Sequence, residues 1–304
     1  MEVLLRNTFQ SLAKNKTANQ LAKKYGLRFG AGRFVAGDSI EGAIQSVKKL
    51  NEEKMVAMLN YLGEYVTSET AATEATENCL RTLDAIHQSG IRSNLSVKLT
   101  SLGMDIGTEV CMSNVTRILE RAEQYGNFVR LEMEDYSHCQ PTLDLYREMR
   151  KRFDNVGTVI QAYLYRSEKD IADLNQWKAN VRLVKGAYKE PAEVAYPDKQ
   201  DVDANYLKII KMHLLNGNYA GIATHDDAVV EQILPFIREH GITNTQFEFQ
   251  MLYGIRTDLQ KRLANEGYTV RVYVPYGIDW FGYFMRRLAE RPANVWFVLK
   301  NLFK

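Results

Sequence analysis

An α/β fold of eight parallel strands alternating with helices and closed into a barrel is what this sequence predicts. Three observations carry that expectation. Eight short apolar or β-branched runs recur along the chain, segments of helical period lie between most of them, and no linker, low-complexity run or repeat divides the 304 residues. Strand, helix and strand in succession give parallel strands with right-handed crossovers. Eight such units satisfy the closure count of a (β/α)8 barrel, with an open doubly wound sheet as the alternative.

The elements follow in order. The first run is "RFVAG" (33–37). The stretch 38–90 is too long for one crossover and reads as two helices, "IEGAIQSVKKLNEEKMVAMLNYLGEYV" and "ETAATEATENCLRTLDAIHQSG". Residues 1–25 read as an amphipathic helical extension with scattered lysines, so the expectation is a distorted TIM-type barrel with extra N-terminal helices. Next come "NLSVKL" (94–99), "FVRLEM" (128–133), "TVIQAYL" (158–164), "VRLVKG" (181–186), "GIATH" (221–225), "QFEFQ" (246–250) and "VRVYVP" (270–275). Helical patterns separate them: "CMSNVTRILERAEQYG", "PTLDLYREMRKRF", "EKDIADLNQWKAN" and "DAVVEQILPFIREHG". A single domain over 1–304 accommodates all of this.

Composition excludes several classes. A hydrophobic fraction of 45% supports a large core and excludes disorder. Lys plus Arg (39) nearly balances Asp plus Glu (37), which advertises no nucleic-acid surface. Cys79, Cys111 and Cys139 lie far apart without metal-type spacing, as expected of reduced thiols in a cytoplasmic protein. No stretch approaches the roughly 18 apolar residues of a spanning helix, so membrane contact through 1–25 would be peripheral. "GAGRFVAG" resembles a dinucleotide-binding loop, but a third glycine would fall at Val35 and the segment precedes its strand, so a Rossmann reading fails.

Ligand sites of parallel barrels lie at the C-terminal strand ends. There this sequence puts Lys98, Glu132, Gln161, Arg182, Lys185, Thr224, His225, Glu248, Gln250 and Tyr273. Each alone has a structural explanation, such as a hydrogen-bonded core histidine or a lysine reaching solvent. Their recurrence at one end of successive strands points to a polar ligand site, because charged groups are rarely buried without partners. In "GYFMRRLAERPAN" (282–294) helical winding puts Tyr283, Arg286, Arg287 and Glu290 along one side. A solvated face tied by Arg286 and Glu290 is the plain reading. Two adjacent guanidinium forks also suit a carboxylate or phosphate, and with Glu290 they suit a small zwitterion. "THDD" (224–227) raises a metal, but no His-x-His pair supports it. Spacing stops at an anion-binding barrel enzyme.

The segments "SVKLTSLG", "VIQAYLYR", "VRLVKGAYKEP", "ATHD", "FEFQMLYG", "RVYVPYG" and "YFMRRLAERPAN", in this order from about residue 28 onward, resemble the proline dehydrogenase family in its stand-alone bacterial form. The resemblance implies FAD as cofactor, oxidation of L-proline to Δ1-pyrroline-5-carboxylate with hydride passed to flavin N5, and a membrane quinone as acceptor. By that likeness Arg286 and Arg287 grip the proline carboxylate, and Lys98, Tyr273, Tyr283, Glu290, Ala187, Tyr188 and Leu252 complete the substrate pocket. Met133, Gln161, Arg182, Val184, Lys185, Gly186, Ala187, Thr224 and His225 are the implied flavin contacts.

One departure is visible. The family often has aspartate after the third strand, where "RLEMEDY" has Glu132. The role of active-site carboxylate passes to Glu132, with Asp135 as the other candidate, and Arg182 is the cation that would face charge arriving on the reduced flavin. Two other readings stay open: a flavin barrel of the methylenetetrahydrofolate reductase type, and a catalytically silent binding barrel.

Overall fold

The computed structural model describes residues 31–290, with side chains in the last helix described up to Met285. The amphipathic segment 1–25 lies outside the described residues. Eight parallel strands form a closed barrel in sequential order. They are β1 (Val56–Tyr61), β2 (Ser93–Val97), β3 (Val129–Leu131), β4 (Val156–Gln161), β5 (Val181–Val184), β6 (Ala220–Ala223), β7 (Phe247–Leu252) and β8 (Val270–Tyr276). Closure is made by β8 on β1, with Met58 opposite Tyr273.

The first strand corrects the expectation. Residues 33–37 form no strand; a short 3-10 turn (Ala31–Arg33) leads through a turn at Phe34 and a bend at Val35 into irregular chain, and β1 instead comes from "VAMLNY", which reads as helix in the sequence. Helix α1 (Ile40–Glu52) starts at Ser39, whose hydroxyl accepts from the Gly42 amide, and it ends before Lys54, held at φ 64°. The chain then enters the barrel as a strand buried on both faces. Such a strand shows a continuous apolar run, which periodicity alone does not distinguish from a helix segment.

Helices α2 (Glu69–Ser89), α3 (Thr108–Gln124), α4 (Tyr136–Arg150), α5 (Ser167–Gln176), α6 (Lys199–Leu215), α7 (Asp227–Glu239), α8 (Thr257–Asn265) and α9 (Trp280–Glu290) follow the eight strands in turn. Ser68, Asp135 and Asp226 cap α2, α4 and α7 with side-chain oxygens on free amides of the first turn. Helix α1 packs against both β1 and β8. The described apolar side chains of α9 pack elsewhere: Trp280, Phe281, Tyr283, Phe284 and Met285 form a second cluster with Phe34, Val35, Leu62 and Ile255, against Leu252 and Tyr273. Leu62, Leu252 and Ile255 lie at or just beyond the C-terminal ends of β1 and β7, so α9 sits over the mouth of the barrel.

The 31–37 segment is tied to that mouth. The Ala36 amide donates to the Pro275 carbonyl at 2.9 Å, and the Gly277 amide donates to that of Gly37 at 3.0 Å. A Cβ at Gly254, whose φ is +71°, would fall 1.8 Å from the Arg33 carbonyl oxygen, so only glycine permits this close approach.

Candidate active site

Barrels of this kind usually fill their interior with branched aliphatic side chains. Here Arg130, Glu132, Arg182, Glu248, Gln250 and Arg271 occupy β3, β5, β7, β8 and the exit of β3, and all but the half-buried Arg271 are buried. Burying a charge is costly unless it is paired and hydrogen-bonded. The pairing is dense. Arg182 donates from Nη1 to both carboxylate oxygens of Glu132 at 2.7 Å and from Nε to Gln250 Oε1 at 2.5 Å, while Nη2 lies against the Met58 thioether. Ser96 also donates to Glu132. The guanidinium carbon of Arg182 lies 5.4 Å from the Tyr273 ring centroid. Burial, and then the Glu132 carboxylate, push the Tyr273 phenol well above its ordinary value, so it stays protonated.

Below this layer Glu248 accepts from Gln250 Nε2 at 2.6 Å, Arg271 Nε at 2.7 Å and the Tyr219 hydroxyl at 2.9 Å. Burial alone would raise its carboxyl pKa, but Arg271 and these hydrogen bonds hold it below the ordinary value. Arg130 donates to the carbonyls of Thr158 and Asn180. Burial and the neighbouring Arg182 pull its pKa down to about 9.

At the rim, Lys98 pairs with Glu64. Gln161 Nε2 donates to the Glu134 carbonyl at 2.8 Å, and the Glu134 carboxylate accepts from the Thr100 amide and hydroxyl at 3.0 and 2.7 Å. Burial raises the Glu134 pKa against the pull of Lys98 and these hydrogen bonds. Met133 is buried between Glu132 and Glu134. At the exit of β5, Val184 and Tyr188 are half-buried and Ala187 is exposed. Gly186 takes φ +108°, and a Cβ there would fall 2.1 Å from the Tyr163 ring. Lys185 pairs with Asp203 at 2.6 Å and Asp226 at 3.1 Å.

At the exit of β6 the Thr224 hydroxyl accepts from the Asp226 amide at 3.1 Å. His225 Nε2 accepts from the Leu252 amide at 2.9 Å, which places the proton of a neutral ring on Nδ1. In "THDD" the two aspartates face cations, Asp226 facing Lys185 and Asp227 facing Arg256.

The structure thus gathers Glu132, Arg182 and Tyr273 into one contact group inside the barrel, and sets Lys98, Gln161, Gly186, Thr224, His225 and Leu252 around its rim. Asp135 has other partners: it caps α4 and pairs with His138 Nδ1 at 2.6 Å. Tyr283 is buried in the cluster under α9. The helical backbone of α9 includes Arg286, Arg287 and Glu290, but their side chains lie outside the described residues. Sequence reasoning missed Glu64, Ser96, Asn60 and Arg271 as members of this constellation. Asn60 donates to the Ser96 carbonyl at 2.9 Å. For Glu64 and Asn60 the signal was hidden once their stretch was read as helix.

Comparison with known proteins gives a consistent answer. A family model described as proline dehydrogenase matches residues 43–300. The chain is 52% identical over 301 residues to proline dehydrogenase 1 of Bacillus subtilis (strain 168), covering 99% of this chain and 100% of that one. It is 45% identical over 309 residues to proline dehydrogenase of Deinococcus radiodurans, covering 100% and 99%. Among solved structures, proline utilization A (PutA) from Bdellovibrio bacteriovorus, inactivated by N-propargylglycine, superposes with a TM-score of 0.82 at 27% identity. That match covers 90% of this chain and 34% of the PutA chain, so this chain spans about a third of that protein. Agreement of this extent in sequence, on a barrel of the same build, means that the chain belongs to the proline dehydrogenase family and is an enzyme of that type.

Proposed function

We propose that the protein oxidises L-proline to Δ1-pyrroline-5-carboxylate with FAD as cofactor, as the first step of proline catabolism to glutamate. The observation that carries this reading beyond the family is the buried Arg182–Glu132 pair beneath the barrel mouth, a fixed cation with no surface role. FAD supplies, when bound, acceptance of the hydride at N5 and onward transfer of electrons to a quinone. The residues present fit such a group. Gly186 packs directly on the Tyr163 ring and lets the chain turn at the exit of β5, Arg182 suits charge arriving on a reduced flavin, and Gln161, Thr224 and His225 ring the same mouth. Met133, Val184, Lys185 and Ala187 complete the proposed FAD contacts.

This chain's own residues have three tasks. Arg286 and Arg287 hold the substrate carboxylate through their planar forks, which fixes the ring in one orientation. Glu290, Lys98, Tyr188, Leu252 and Ala187 bound the pocket, and Tyr273 and Tyr283 exclude water from it. Glu132 holds Arg182 through both carboxylate oxygens. In the reaction the C–H bond at the ring carbon beside nitrogen breaks, a C=N bond forms, and the amine proton leaves. The whole of 1–304 acts as one barrel domain. No described helix is long and apolar enough to cross a membrane, and a cytoplasmic protein touching the inner membrane face through residues 1–25 is the proposed route to the quinone. Deleting 1–25 then weakens liposome binding while activity with a soluble dye persists.

An anaerobic visible spectrum tests the reading. The flavin bands bleach on addition of L-proline and not of NADH; a flavin bleached by NADH alone would instead indicate a folate-reductase-type barrel. Arg286→Met or Arg287→Met raises KM for proline by about tenfold or more, since a charged hydrogen bond contributes about 1.5–3 kcal/mol. An unchanged KM would return these arginines to a solvated face.

A further inference from the structure

We propose that Gln250 is a positioning residue whose amide, oriented by Glu248, holds the Arg182 guanidinium in the setting where it tunes a bound flavin. This rests on the reading above that Arg182 serves that flavin. The arrangement is a chain of short contacts: Arg182 Nε to Gln250 Oε1 at 2.5 Å, then Gln250 Nε2 to Glu248 Oε1 at 2.6 Å. Gln250 and Glu248 expose 4% and 1% of their surface, so water does not compete for either bond.

The orientation of the Gln250 amide follows from the chemistry of its two neighbours. A guanidinium has only donors, and an ionised carboxylate has only acceptor sites. Between them the amide has one arrangement that satisfies both neighbours, oxygen toward Arg182 and nitrogen toward Glu248. Glu248 is kept in its acceptor form by Arg271 and by the Tyr219 hydroxyl. Space for the amide is reserved by the neighbouring strand. Gly221, opposite Arg182 on β6, would with a Cβ meet Gln250 Nε2 at 2.5 Å, so a side chain there displaces the amide.

The relay has a consequence for Arg182. With Nε committed to Gln250 and Nη1 to Glu132, the remaining nitrogen, Nη2, faces the thioether of Met58, a weak acceptor. It is the nitrogen left to take a stronger anionic acceptor. Releasing Nε would let the guanidinium turn about its Glu132 contact and lose that setting.

The test is the midpoint potential of the bound FAD in the holoenzyme, measured by anaerobic titration against reference dyes. Four proteins are compared: wild type, Arg182→Lys, Gln250→Met and the double variant. Gln250→Met should lower the preference for reduced over oxidised flavin about tenfold, which for a two-electron couple is a potential lower by about 30 mV. Arg182→Lys should also shift the potential, and the double variant should match Arg182→Lys alone, because both changes act through one group. Gln250→Asn, which keeps the polarity but is one methylene too short to bridge both partners, serves if Gln250→Met does not accumulate as folded flavoprotein. A potential moved by Arg182→Lys but not by the Gln250 variants overturns the relay, as do shifts that add in the double variant. A potential unmoved by Arg182→Lys overturns the role given to Arg182, and the relay with it.

Discussion

Removing the carboxylate of Glu132 tests how the barrel interior tolerates its charges. Arg182 and Glu132 expose only 7% and 11% of their side chains and meet at 2.7 Å. Breaking one partner of such a buried pair costs about 3–5 kcal/mol, whereas replacing both by apolar groups is close to neutral. Unfolding entropy of about 2.1 cal/mol/K per residue over 304 residues gives about 0.6 kcal/mol/K, so Tm falls by about 5–8 °C for either single variant. The set is Glu132→Leu, Arg182→Met and the double variant, followed by circular dichroism on heating and in urea. Arg182→Met strands a carboxylate inside the barrel, and Glu132→Leu on that background removes it, so the double variant is the more stable of those two. Single losses below about 1 kcal/mol, the range of exposed pairs, would refute the reasoning. So would a double variant less stable than Arg182→Met.

Two further outcomes follow from the rim. His138 bridges Asp105 at 2.8 Å and Asp135 at 2.6 Å. Burial lowers its pKa, but the two carboxylates outweigh burial and raise it above 6.5, while Asp135 is held below 3.8 against its own burial by Ser137 and His138. A raised histidine contributes stability fully below pH 6.5 and loses it as pH rises through the folded value; the depressed Asp135 contributes above 3.8 and loses it on acidification. The Tm advantage of wild type over His138→Gln is therefore larger at pH 6 than at pH 9, and equal values would show that the clamp carries no charge. Gly186→Ala meets both a φ of +108° and a Tyr163 ring atom 2.1 Å away, costs of about 1–3 kcal/mol each, and yields protein with weakened FAD binding. Adding Tyr163→Ala relieves the clash alone, so FAD binding recovers in part; full recovery would show that backbone strain is unimportant.

Much of the barrel was legible because parallel strands and their covering helices have different periods. Seven strands stand where the runs beginning at 94, 128, 158, 181, 221, 246 and 270 indicate, within a few residues. The eighth was misplaced for a physical reason. "VAMLNY" has one β-branched residue and follows a helix with no proline or glycine between, so the stop at Lys54, a left-handed residue of the wrong type for that conformation, left no mark. Interior polar positions are readable in part. In "FEFQ" the phenylalanines and the polar residues alternate, and in a strand covered by helices outside, Glu248 and Gln250 must point inward. What the chain does not reveal is which strand answers which. Arg182 on β5 reaches Gln250 on β7 across Gly221, and that partnership depends on the stagger with which the barrel closes.

The helix that carries Arg286 and Arg287 rests on a small apolar cluster of its own, distinct from the large core that fills the space between barrel and helices. Phe34, Val35, Leu62 and Ile255 form its floor, and Trp280, Phe281 and Phe284 its roof. Under the substrate-binding role proposed for Arg286 and Arg287, durability and ligand choice are lodged in different sets of residues. A directed-evolution library confined to Phe34, Val35, Trp280 and Phe284 would re-aim the tilt of the arginine helix over a barrel left untouched. Selection for a larger or smaller cyclic amino acid would then act there, without first spending the stability on which the rest of the enzyme depends.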